Sequence, residues 1–108
     1  MKWSVRYSSD ARDDLRGIYS YIAFELMAPD TAASQYRRIV SAILTLDEMP
    51  ERFPIYPEEP WKSLEMRWFP VDNYLVFYFT DETAQSVDIA RIMYRGRDIR
   101  KHFFVSPT

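Results

Sequence analysis

The 108 residues include no cysteine, one histidine (His102) and two glycines (Gly17 and Gly96). Without thiols, disulfide staples, thiolate nucleophiles and cysteine-ligated zinc are all excluded, so the fold must hold by packing alone. One histidine cannot build a histidine-rich metal centre, and no spaced acidic cluster suggests a carboxylate-only Mg²⁺ site. Two isolated glycines leave no room for a P-loop, a glycine-rich dinucleotide turn or a serine nucleophile elbow. No cofactor and no metal are therefore expected. No apolar run approaches the roughly 18 residues that cross a bilayer, and Met-Lys-Trp-Ser-Val-Arg-Tyr at the start lacks the apolar segment of a signal peptide. The expected location is the cytoplasm, with no membrane partner.

Aromatics and unevenly placed charge are what the chain does have. Eighteen aromatics and a hydrophobic fraction of 47% argue for a packed domain, and the length suits one, over 1–108. Residues 91–108 hold five basic residues and one acid, net +4, whereas residues 1–90 hold nine basic and fifteen acidic, net −6. A total of −2 is unusual for a protein that must grip extended nucleic acid, where affinity comes largely from neutralised phosphates. Any anion contact has to be local.

Trp3, Val5 and Tyr7 alternate with Lys2, Ser4 and Arg6 at the period of a half-buried strand over 2–8. Ser9 or Asp10 is a plausible N-cap for a helix over about 10–26, with Asp13 and Asp14 near its positive end. Its apolar stripe is Ala11, Leu15, Ile18, Tyr19, Ile22 and Leu26. Pro29 and Asp30 restart the chain into a second amphipathic helix (Ala33, Tyr36, Ile39, Val40, Ile43, Leu44) that ends before Pro50, and so short a link predicts an antiparallel hairpin. Residues 49–63 combine four prolines with Phe53, Ile55, Tyr56 and Trp61, which predicts an ordered loop packed across the sheet. Strands follow at 64–69, 74–80 and 86–94; the run Tyr74 to Phe79 has no polar face and suits a central strand. The predicted class is α+β: an N-terminal strand, a helix hairpin and a three-stranded antiparallel meander, with the helices on one sheet face.

Alternation places Arg67 with Glu65 and Phe69, and Arg91 with Val87, Ile89 and Met93 unless a bulge intervenes. Both arginines could then project from the face that the helices leave bare, with Arg95, Arg97, Arg100 and Lys101 at its rim. Guanidinium forks suit phosphate or carboxylate oxygens. If the anion were a scissile RNA phosphate, Arg67 or Arg91 would stabilise charge, and Tyr94 or His102 would move protons. The tyrosine would first need its pKa of ~10 lowered. Structural ion pairs to Glu65, Asp88 or Asp98 are the competing use of the two arginines.

Met66-Arg67-Trp68-Phe69-Pro70-Val71, Asn73-Tyr74-Leu75-Val76-Phe77-Tyr78 and Val87-x-Ile89-x-Arg91-Ile92-x-Tyr94-x-x-Arg97-Asp98 resemble the RelE/ParE toxin superfamily of bacterial toxin–antitoxin systems. The resemblance extends through the preceding strand and helix hairpin, with Ala33-x-x-Tyr36-x-x-Ile39 in the second helix. It implies a toxin neutralised in a hetero-oligomer by a cognate antitoxin, within a plasmid-maintenance or stress-response module. RelE-like members cut mRNA in the ribosomal A site with basic residues on the sheet and a C-terminal Tyr or His; here Arg67, Arg91 and Tyr94 match those positions. ParE-like members lack the full set and inhibit DNA gyrase. The sheet lysines of the RelE-like enzymes are missing, and the loop before the sheet is acidic, which ribosomal RNA would repel. The ParE-like reading is favoured, with Arg91, Arg95, Arg97, Arg100 and Lys101 as the target-binding surface. The alternatives are a ribosome-dependent endoribonuclease, whose partners are ribosome and mRNA, and a non-toxic binding domain. No antitoxin-contacting residue can be named from sequence.

Overall fold

A computed structural model describes residues 2–97. The elements are β1 (Ser4–Tyr7), α1 (Ser9–Ser20), a π-helical turn (Tyr21–Glu25), α2 (Pro29–Leu44), β2 (Arg67–Val71), β3 (Tyr74–Asp81) and β4 (Ser86–Tyr94). The sheet order is β1-β4-β3-β2. β2, β3 and β4 form the expected antiparallel meander, and β1 joins it parallel to β4. The α+β class, the hairpin and the bounds of β4 agree with the sequence. Ser8, rather than Ser9 or Asp10, is the N-cap of α1; its hydroxyl accepts from the Ala11 N–H at 3.0 Å. β2 begins three residues later than expected because Glu65 takes a left-handed turn (φ 58°) and the Met66 N–H still bonds back to the Trp61 carbonyl. Pro70 is tolerated in β2 because this is an edge strand.

Two apolar layers flank the sheet. On the helix side, Leu15, Ile39, Ile43 and Leu46 meet Phe69, Val76, Tyr78, Val87, Ile89 and Ile92. On the other side, Trp61, Met66, Phe77 and Met93 are buried with Tyr56, Trp68 and Leu75 against them. This second layer is made by the proline-rich segment, which crosses the sheet as expected. Its first half is fastened along β2: the Tyr56 N–H bonds the Met66 carbonyl at 2.7 Å, and Phe53 stacks on Phe69 at 4.5 Å. The Tyr78 hydroxyl donates to the Pro50 carbonyl at 2.6 Å. Arg52 caps the end of the α2 region, donating to the carbonyls of Thr45, Glu48 and Met49.

Tyr7 contributes an unpartnered polar atom, since its buried hydroxyl has no hydrogen-bond partner among the described residues. Burial, with Tyr36 nearby, pushes its pKa up to about 12; burial does the same to Tyr78. Both folded values exceed the unfolded ~10, so the folded state holds these protons more tightly. Their contribution is complete below pH ~10 and declines as pH rises through about 12. Tyr7→Phe removes an unsatisfied buried group and should raise stability by about 1 kcal/mol at pH 7. It should also shallow the alkaline decline, read as urea midpoints at pH 8 and pH 11; a clear loss of stability at pH 7 would refute it.

Candidate functional site

β1 ends at Tyr7 while β4 continues to Tyr94, so among the described residues the far half of the β4 edge lacks a strand neighbour. The start of α1 takes that place. The Ser8 N–H bonds the Ile89 carbonyl and the Ser8 hydroxyl donates to the Ala90 carbonyl, each at 2.9 Å. Asp14, one turn on, accepts the Ile92 N–H at 2.9 Å and two bonds from Arg91, from Nε at 2.7 Å and Nη2 at 2.9 Å. The side chains of Arg91 and Asp14 are only 22% and 15% exposed. Asp14 holds the Arg91 pKa above its usual value, chiefly through these hydrogen bonds.

The register slips between Phe77 and Tyr78, which leaves Ala90 as the extra residue of a β-bulge. Beyond it Arg91 stands opposite Phe77, a member of the helix-free layer. Arg67 is on the other face, with Phe69 and Tyr78, and Nη1 donates to the carbonyls of Glu51 (3.0 Å) and Phe53 (2.6 Å). The expectation that both arginines project from one bare face is therefore corrected twice. The face is filled by aromatics, and both guanidiniums hold the structure together, Arg67 through loop carbonyls and Arg91 through Asp14. Arg67 pairs with Tyr78 whereas Tyr94 pairs with Tyr74. Four residues of β3 separate those positions, about 13 Å along the strand.

Arg91 and Tyr94 do meet, in a cleft of about 900 Å³ between α1 and the end of the sheet. Gly17, Ile18, Tyr21 and Leu26 form one wall, and Tyr74, Met93, Tyr94 and Arg97 the other. Tyr94 is 54% exposed and lies edge-on to Tyr74 at 5.7 Å. Burial, then the neighbouring Tyr94 and Tyr21, raises the Tyr74 pKa. The Arg95 N–H bonds the Asn73 carbonyl at 2.7 Å and its exposed guanidinium donates to the Asp72 carbonyl at 3.4 Å, while the Arg97 side chain stands in solvent at the sheet end. Arg100, Lys101 and His102 lie outside the described residues. Behind the β2–β3 turn, Asp72 binds Arg38 at 2.7 Å and Gln35 at 2.9 Å, which lowers its pKa and fixes α2 against the turn. Among the described residues no group of acids and histidines is arranged to hold a metal ion, and no helix is long and apolar enough to cross a membrane.

Asp14 is the residue that sequence reasoning assigned wrongly, to the helix dipole. It sits three after Ala11 and four before Ile18, on the apolar stripe itself. A carboxylate there requires a cation across the interface.

Residues 5–99 match the family model described as ParE toxin of the type II toxin–antitoxin system, parDE. The chain belongs to the ParE toxin family. It is thus a toxin of the type II toxin–antitoxin class and a member of the wider RelE/ParE superfamily. No curated protein matches this ParE-family chain. Among solved structures it is similar to a chromosomal ParDE toxin–antitoxin system from P. aeruginosa, with TM-score 0.71 and 20% identity over 87% of this chain and 97% of that one. The RelBE2 toxin–antitoxin complex from Mycobacterium tuberculosis gives TM-score 0.62 at 21% identity, covering 90% and 95%. An archaeal RelE–RelB complex from Pyrococcus horikoshii OT3 gives 0.61 at 19%, covering 91% and 100%. At these identities the structures speak for the fold, which the two branches share.

Proposed function

We propose that this ParE-family toxin inhibits DNA gyrase by binding it, making and breaking no bond itself, and that a cognate antitoxin neutralises it in a hetero-oligomer. The observation that carries this reading is the separation of the would-be nuclease residues. Arg67 is tied to carbonyls on the helix side, Arg91 to Asp14, and Tyr94 lies at the other end of the sheet from Arg67. A ribonuclease needs a charge stabiliser and a proton carrier around one phosphate. The helix-free face offers that phosphate a layer of Tyr56, Trp61, Trp68 and Phe77 instead. Two RelE-branch toxins solved in complex with their antitoxins and a ParDE toxin–antitoxin system have the same fold, which supports an antitoxin partner here.

The docking surface is the solvent-facing pair Arg95 and Arg97; Arg100 and Lys101, also expected to bind the target, follow in sequence and lie outside the described residues. Arg91 leaves that group, because its guanidinium is engaged by Asp14. Arg95→Glu/Arg97→Glu should keep the melting temperature and weaken inhibition of gyrase supercoiling at least tenfold. Wild-type protein should cleave no mRNA on programmed ribosomes. Cleavage at codons in the A site, with supercoiling untouched, would transfer the chain to the endoribonuclease branch; unchanged inhibition by the double variant would remove the arginines from the surface.

A further inference from the structure

Gly17 occupies the middle of α1, where alanine is the favoured residue and glycine costs backbone entropy. It is exposed, and a Cβ built there meets nothing within 4 Å. No contact among the described residues calls for glycine at this position. The same residue lines the cleft, beside Ile18, Tyr21 and Leu26 and across from Tyr94. Tyr21, Leu26 and Tyr94 are each more than half exposed, which is unusual for three large apolar side chains around one hollow. A missing Cβ at the wall of an apolar cleft lets another backbone approach closely.

Charge selects the occupant. Asp13 binds Arg16 at 2.6 Å and Asp14 binds Arg91, so both acids of the cleft wall are neutralised within the chain. Arg97 has no side-chain acceptor among the described residues, which leaves the cleft mouth positive. An apolar segment bearing a carboxylate fits; a basic one is repelled.

We propose that an antitoxin segment lies in this cleft and crosses α1 at Gly17 in backbone contact, its apolar side chains on Tyr21, Leu26 and Tyr94 and a carboxylate on Arg97. The assignment rests on the toxin–antitoxin reading above and adds to it the contact point and the chemistry of the segment.

The test uses full-length toxin as wild type, Gly17→Ala and Gly17→Leu, titrated calorimetrically with the purified product of the open reading frame adjoining the toxin's own. Melting temperature and growth arrest on expression without that product are read in parallel. Gly17→Ala should melt a few degrees higher than wild type, arrest growth as before, and bind about tenfold more weakly; Gly17→Leu should bind at least a hundredfold more weakly. Equal affinity of all three for the adjoining product overturns the contact at Gly17 while leaving the toxin–antitoxin reading intact. Loss of growth arrest with affinity unchanged overturns the choice of occupant and gives the cleft to the target. No binding to wild type overturns the antitoxin assignment, and an absence of growth arrest as well would remove the toxin reading beneath it.

Discussion

Asp14→Ala is expected to cost about 3 kcal/mol of folding stability, the scale for removing one member of a hydrogen-bonded, largely desolvated charge pair. For a domain of this size that lowers the melting temperature by roughly 15 °C. Three donors lose their acceptor together: two from the Arg91 guanidinium and the Ile92 N–H. Replacing the other partner should cost less, because Asp14 would keep the Ile92 N–H. Asp14→Asn should fall between, since its amide oxygen can still accept from Ile92 but carries no charge. The coupling between Asp14→Ala and Arg91→Ala should reach about 1–2 kcal/mol in a double-mutant cycle. Chemical denaturation of wild type, the three single variants and the double variant supplies every number required. If Asp14→Ala lies within about 0.5 kcal/mol of wild type, the clasp is incidental, and the edge of β4 is held by Ser8 and packing alone.

That clasp also marks the limit of what patterning reveals. β4 was legible to the residue, and both helices and the bilaterally buried β3 were legible as elements, because apolar residues at strand or helix spacing dominate each even where Asp14 or the bulge at Ala90 interrupts the pattern. The orientation of Arg91 was not. Alternation holds only while the register holds, and the bulge at Ala90 is set by how β3 and β4 pair over their full length. Arg67 failed for a related reason: Phe69 tells which face it shares, but which face the helices cover depends on the chain path, and two loop carbonyls claimed the guanidinium. The π-helical turn at Tyr21–Glu25 was read as helix, since its period differs too little to show in five residues. Of the basic stretch that charge asymmetry marks, Arg95 and Arg97 are exposed and Arg91 is not, because charge alone does not reveal that Asp14 faces it.

The proline-rich segment joins fold and function, and Trp61 is where to test it. Trp61 is 3% exposed, and Tyr56 sets its ring edge-on against Trp61 at 5.9 Å, Trp68 at 6.3 Å and Phe77 at 5.7 Å. Trp61→Ala removes the largest buried side chain of that layer and should cost about 3–4 kcal/mol, a transfer term plus the cavity left between loop and sheet. Trp61→Phe keeps an aromatic in place and should cost about half as much. The loop should open before the domain unfolds, so trypsin should cut after the exposed Lys62 much faster in the alanine variant under native conditions. Function should follow a different rule. On the proposed reading, in which Arg95 and Arg97 at the sheet end form the target surface of a gyrase inhibitor, inhibition per folded molecule should stay near wild type, and exposing the sheet face should produce no mRNA cleavage, because Arg67 and Tyr94 remain apart. Inhibition that falls well below the folded fraction would instead mean that the target reads the aromatic loop, and the docking surface would have to be redrawn around Trp61.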